Sequence, residues 1–332
     1  MRSESSGRSE HISPKYTVKG LFNGGFGRNF DAKSDALQRS PLERFIPMNH
    51  QELQFGPFSV SLLETCRFGL DGGAMFGVVP KTLWERAYAS ADERNRIPMA
   101  AKVLLVRAHG RTILVDTGNC PWMSPKLREI YDICFDDHSI SGSLARAGVD
   151  AAQVTDVVLT HLHFDHVGGA MLETGEPRFP NAAYHVQKRQ LDWARAATEK
   201  DRASFMPEMF EPLVGSGRMN IVDGDGELFP GMYLECVHGH TQSMQTVRLS
   251  DGQTTVFFPA DLMPTSAHIS VPYGMAYDNF PLTTIDEKKR LLPRIIDEQW
   301  IVVFEHDALR DAGRIVRTDR GVALGEEFVL CR

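Results

Sequence analysis

Residues 160–169 read THLHFDHVGG, and this segment constrains the fold and chemistry of the 332-residue chain more tightly than any other. His161, His163, Asp165 and His166 follow directly on the apolar run Asp156 to Thr160 (DVVLT), which reads as a central strand. Four ligand-type side chains at the end of a core strand would be orphaned there without a common partner. Residues i and i+2 of an extended chain point the same way, so His161 and His163 can share one metal ion. As the chain turns toward a helix, Asp165 and His166 swing to an adjacent position and can serve a second ion. Gly168-Gly169 permits close backbone packing just beyond them. Imidazole nitrogen with carboxylate oxygen suits zinc, and less selectively iron or manganese.

Three further ligand types stand at strand ends. His240, in Gly239-His240-Thr241, follows the strand Met232 to Val237. Asp261 follows Thr254 to Pro259 (TTVFFP), and His306 follows Ile301 to Phe304 (IVVF). Separate strands thus deliver candidates to what can be one edge. Phe58 to Thr65 (FSVSLLET) alternates like a strand, and Lys102 to Arg107 with Arg111 to Val115 flank His109-Gly110 as a hairpin. Ser124-Pro125 reads as a helix N-cap and first residue, and Thr284 with Glu287 as a capping box for a later helix. Strands in two batches, each followed by helices, predict two packed sheets with helices outside. The helix-prone stretch around 187–215 reads as an outer helical insertion with a buried stripe, or as a lid over a pocket.

The order H-x-H-x-D-H, then G-H-T, then a strand-end Asp and a strand-end His resembles the metallo-β-lactamase-fold hydrolase superfamily, over roughly Leu70 to Asp307. Asp116-Thr117-Gly118 also fits. The resemblance implies an α+β, four-layer αβ/βα sandwich of two mixed sheets packed face to face. It implies His161, His163 and His240 on one metal, Asp165, His166 and His306 on the other, and Asp261 bridging. Asp116 would orient a ligand imidazole from behind. The implied cofactors are two divalent ions, Zn2+ foremost, with Mn2+, Co2+ or Fe2+ as substitutes. They would share a bridging hydroxide for attack on the substrate.

LDGGAMFG at 70–77, NRI at 95–97 and ADLMPTSAH at 260–268 look like the branch that holds N-acyl-homoserine lactonases and methyl parathion hydrolase. A lactone or ester is therefore the expected small-molecule substrate. Phosphotriesterase or arylesterase activity is the alternative, and an iron-containing redox or sulfur-dioxygenase protein a further one. Those lactonases often carry a Tyr three residues after the bridging Asp, where this chain has Pro264. His268, Tyr273 and Tyr277 are candidates to replace it. Asp165, Asp261 and His268 are the expected catalytic residues, and Phe76, Trp84, Trp193, Tyr273, Met275 and Tyr277 the expected pocket wall.

Composition bounds the partners. A net charge of -7 argues against a nucleic-acid binder. No run approaches the roughly 18 apolar residues of a membrane span. The first 50 residues are polar and lack an apolar leader core, so residues 1–50 read as an extension and 51–332 as the hydrolase domain. Five cysteines without any CxxC pair point to free thiols and a cytoplasmic location. A homodimer is open to such a domain.

Overall fold

The computed structural model describes residues 52–136 and 138–331; the polar extension at 1–50 lies outside them. Two seven-stranded sheets form, each in simple chain order. The first holds β1 (Leu53–Phe55), β2 (Phe58–Asp71), β3 (Arg96–Ala108), β4 (Arg111–Val115), β5 (Asp156–Val158), β6 (Ala183–Gln187) and β7 (Met219–Val222). The second holds β8 (Gly226–Phe229), β9 (Met232–Val237), β10 (Met244–Ser250), β11 (Thr255–Phe258), β12 (Ile301–Val303), β13 (Ala312–Thr318) and β14 (Gly321–Phe328). β4 through β7 pair in parallel, as do β11 and β12. The other neighbours are antiparallel, so both sheets are mixed.

The period-2 alternation of the strands explains the layering. Val60 and Leu62 on β2, Leu104 and Val106 on β3 and Val115 on β4 share one buried cluster with Val247, Leu249, Val256 and Phe258 of the second sheet. Their neighbours Leu63, Val103, Leu105 and Leu114 face the other way, in a cluster with Leu144, Phe210 and Leu213 from flanking helices. Strands covered on both faces carry near-continuous apolar runs, which is how β3 and β4 read. Beyond the second sheet, helix Pro281–Asp297 packs Leu291, Leu292 and Ile295 beside Phe257 and Trp300. The result is the expected α+β sandwich of two mixed sheets with outer helices.

Several local expectations shift. The 187–215 stretch forms two helices, Lys188–Arg195 and Pro207–Gly215, joined by an irregular segment. β2 and β3 run well past the alternating cores seen in sequence, with a register shift between Glu64 and Cys66. The long helix starts at Pro281, so Thr284 and Glu287 lie inside it and form no capping box. Proline at the first helical position set the boundary instead. The Glu287 carboxylate accepts from the backbone N–H groups of His238 (2.6 Å) and Gly239 (3.2 Å), bracing the loop that leads into His240. Among the described residues, no helix is long and apolar enough to cross a membrane.

Candidate metal centre and active-site cleft

Strand ends collect on one edge of the sandwich. Past β5 the chain bends at Thr160 and runs through His161 to His163, the N-cap of the short helix Phe164–Val167, which carries Asp165 and His166. The turn 116–118 after β4 clamps that helix, because Thr117 donates from its backbone N and its hydroxyl to the His166 carbonyl, each at 2.8 Å. Gly169 makes the clamp possible: a Cβ there would lie 2.1 Å from the Thr117 carbonyl oxygen. Asp116 (φ 62°) and Ala260 (φ 48°) both adopt the left-handed region, which is uncommon for non-glycine residues and clusters at functional sites. One precedes the clamp; the other aims Asp261 into the edge from the end of β11.

The inner atoms of the cluster converge. His163 Nδ1 lies 3.0 Å from His161 Nε2 and 3.1 Å from His240 Nε2. His166 Nε2 and His306 Nε2 are 3.1 Å apart, with Asp165 oxygens 3.9 and 3.7 Å from them. Asp261 spans both groups, placing Oδ2 3.1 Å from His240 Nε2 and Oδ1 3.2 Å from His306 Nε2.

Four of the five outer nitrogens face hydrogen-bond acceptors, while His163 Nε2 is buried without a partner among the described residues. His161 Nδ1 meets the Thr160 hydroxyl (3.0 Å), His166 Nδ1 meets Asp116 (3.0 Å), His240 Nδ1 meets Asp278 (3.1 Å), and His306 Nδ1 meets the Ala100 carbonyl (3.0 Å). A neutral imidazole has one N–H. Spent on the outer acceptor, it leaves the inner nitrogens of His166 and His306, 3.1 Å apart, confronting each other lone pair to lone pair. That arrangement is repulsive unless a cation lies among them. A tetrahedral zinc site with ~2.0–2.1 Å bonds has nitrogens about 3.3 Å apart, a few tenths of an ångström from the spacing seen here. Asp261 Oδ1 is buried without a hydrogen-bond partner among the described residues, as a ligand oxygen would be. The donor set therefore fits divalent metal ions.

Electrostatics divide the cluster into two lowered and three raised imidazoles. Burial, then the neighbouring imidazoles, hold His161 well below the usual histidine value, and burial with His240 and His166 does the same for His163. Burial also lowers His240 and His306, but the Asp261 carboxylate more than offsets it, leaving each at about 9. Asp261 thus gathers positive charge from both sides.

A narrow cleft of about 50 Å³ opens above the cluster. His163, Asp165, His240, Asp261 and His306 line its floor; Leu70, Met75, Tyr131, Phe164, Ser204, Met275 and Tyr277 line its walls. Two expected wall residues, Met275 and Tyr277, therefore reach the cleft, and four do not. Phe76 is buried between Trp84 (rings 5.5 Å) and His268 (4.7 Å), with Tyr273 edge-on at 6.0 Å. That aromatic stack fills core behind the wall. Trp193 donates its indole N–H to Asp201 at 2.7 Å.

His268 does not reach the reacting region either. Its nitrogens are taken by the Thr265 hydroxyl (2.7 Å) and the Met75 carbonyl (2.8 Å), and burial followed by the nearby Lys288 charge lowers it to about 4. Sequence reasoning missed Asp278 and Glu305. Asp278 carries no local pattern. Glu305 did carry a signal, being a carboxylate between an apolar strand and a strand-end histidine, and it lies 3.2 Å from His166 Nδ1.

Comparison with known proteins adds to this geometry. Residues 96–306 match the family described as the metallo-beta-lactamase superfamily. An N-acyl homoserine lactonase of Bacillus cereus is 24% identical over 232 residues, covering 66% of this chain and 86% of that protein. One from Bacillus sp. is 25% identical over 181 residues, 54% of this chain, and the match spans 66% of that relative's length. A probable metal-dependent hydrolase from Staphylococcus aureus superposes with a TM-score of 0.74 at 27% identity, covering 83% of this chain and 100% of that one. AidC, described as a dizinc quorum-quenching lactonase, superposes with a TM-score of 0.69 at 19% identity over 84% and 97% of the two chains, a likeness of fold alone.

Proposed function

The chain belongs to the metallo-beta-lactamase superfamily and is a metal-dependent hydrolase, and from that premise we propose that it opens the lactone ring of an N-acyl homoserine lactone or a closely related ester. The observation that carries the reading is the pair of ligand groups joined by Asp261 on the floor of a cleft with apolar and phenolic walls. The lactonase relatives support the substrate class.

His161, His163 and His240 would hold one divalent ion and Asp165, His166 and His306 the other, with one Asp261 oxygen toward each. Zinc is the ion that best suits this donor set. Bound there, the ions would supply Lewis acidity and an acidified water. Asp116 and Asp278 keep the His166 and His240 rings aimed inward by accepting at their outer nitrogens. Asp165 is the floor carboxylate with the most exposure, at 13% for its side chain, and is suited to move a proton from the attacking water to the leaving alkoxide. Burial holds the Tyr277 phenol well above its ordinary value, so it stays protonated as a donor toward the carbonyl or alkoxide oxygen, the role left open by Pro264. Leu70, Met75, Phe164 and Met275 exclude water and offer an apolar path to an acyl chain.

The test is a pH-stat panel of N-acyl homoserine lactones, simple γ-lactones, aryl esters, phosphotriesters and β-lactams on metal-defined protein. Lactones should show the highest kcat/KM. A faster phosphotriester or aryl ester would move the assignment to that class, and no turnover of any substrate would overturn the hydrolytic reading.

A further inference from the structure

We propose that Asp201 is a positioning residue that sets substrate specificity by tying together the two segments that wall the cleft. One wall carries Ser204 and comes from the irregular segment between helices Lys188–Arg195 and Pro207–Gly215; the other carries Met275 and Tyr277. They are remote in sequence, and neither belongs to a sheet, so side chains must fix the gap between them.

Asp201 does so from outside the cleft. It is 4% exposed, and each carboxylate oxygen accepts twice. Oδ1 takes the Thr198 backbone N–H and hydroxyl, both at 2.8 Å. Oδ2 takes the Trp193 indole N–H at 2.7 Å and the Asn279 amide at 2.8 Å. Asn279 in turn donates from its backbone and side-chain nitrogens to the His240 carbonyl, both at 3.0 Å. A second tie runs alongside, from Lys200 Nζ to the Tyr277 carbonyl at 2.9 Å. Ser204 is held close by its N–H to the Asp201 carbonyl and by its own carbonyl, which accepts from Phe164 N, both at 2.9 Å.

Four donors converge on one carboxylate, so asparagine cannot replace it. The Asn amide would present its NH2 either to the Trp193 and Asn279 donors or to the Thr198 pair. The Asn279 amide could turn over to accept, but only by giving up its bond to the His240 carbonyl. Trp193 would still be left unpaired.

The inference rests on the lactonase reading for its substrates only. D201N and the milder W193F, which removes a single donor, are compared with wild type on N-butanoyl and N-dodecanoyl homoserine lactone. In D201N we expect KM to rise about tenfold with kcat within about twofold, and the ratio of kcat/KM between the two chain lengths to change about fivefold or more. Metal content should be unchanged, and W193F should move the same way by less. A residue with only a structural role would lower stability without altering the chain-length ratio. An unchanged ratio in both variants, or metal loss in step with activity, overturns the proposal. If wild type opens no lactone, that failure belongs to the function, and limited proteolysis reads the clasp instead. Cleavage within 196–205 should then be faster in D201N, and equal rates overturn the clasp.

Discussion

Lys288 offers a sharp quantitative test. It lies in helix Pro281–Asp297, fully buried, and donates from Nζ to the Tyr273 carbonyl at 2.6 Å and toward the Ser270 carbonyl at 3.4 Å. Those carbonyls belong to the segment that continues into Met275 and Tyr277 of the cleft wall. Burial, opposed by the Asp278 carboxylate, lowers the ammonium from an ordinary 10.5 to about 8. That difference corresponds to about 3 kcal/mol against the charged form in the folded protein. Between pH 8 and 10.5 the unfolded chain holds this proton and the folded chain does not, so stability from this group rises with pH across that window. Below about pH 8 both states hold it and the full penalty applies. Lys288→Met removes the titration while keeping most of the packing, at the cost of unpaired carbonyls, about 1–3 kcal/mol. Near pH 7 the two effects nearly cancel. The difference between the proteins should then shift by about 3 kcal/mol in favour of wild type as pH climbs to about 10.5. Urea unfolding of both proteins in parallel at each pH measures it, since other groups titrate alike in the two and drop out. A difference that stays flat to within about 0.5 kcal/mol, inside the usual extrapolation error, would refute the reasoning.

Three other outcomes are expected. Asp261→Ala should lose most bound metal and activity together, and full occupancy by elemental analysis would remove Asp261 from its bridging role. Asp116→Ala, which removes the hydrogen-bonded acceptor at His166 Nδ1 and leaves only Glu305 3.2 Å away, should weaken metal affinity about 10–100-fold in competition with a chelating dye; affinity equal to wild type would count against it. Gly169→Ala places a Cβ 2.1 Å from the Thr117 carbonyl and should destabilise the fold by about 3 kcal/mol or more in chemical denaturation. A change below about 1 kcal/mol would mean that the clamp on the ligand helix is slack.

The floor of the site was legible because its signal is local. Spacing within 161–166 and the habit of ligands to follow apolar runs brought His240, Asp261 and His306 into view without any structure. The walls were not legible, since they form from segments that meet only in three dimensions. Aromatic content drew attention to Phe76, Trp84 and Tyr273, yet large rings fill core more often than they line clefts, and these three do so here. His268 looked catalytic from its place after β11; its rotamer instead serves a hydroxyl and a carbonyl. The β13–β14 hairpin escaped notice because its half-exposed residues, such as Val316 and Leu324, alternate weakly. The false capping box at Thr284 and Glu287 shows a local motif losing to a proline placed three residues earlier.

The strand-end cluster also has a mechanical side. His161, His163, Asp165 and His166 hang from the first sheet, whereas His240, Asp261 and His306 hang from the second. A cation shared across that line would staple one half of the sandwich to the other. His166 and His306 are 140 residues apart in the chain, and a covalent cross-link closing a loop of that size is worth about 5 kcal/mol. None of the five cysteines forms a disulfide among the described residues, so no disulfide does this work. Chelation should then act as a reducing agent does on a secreted protein: it would remove the staple, set like-poled nitrogens against one another, and let the edge gape before the rest of the fold yields.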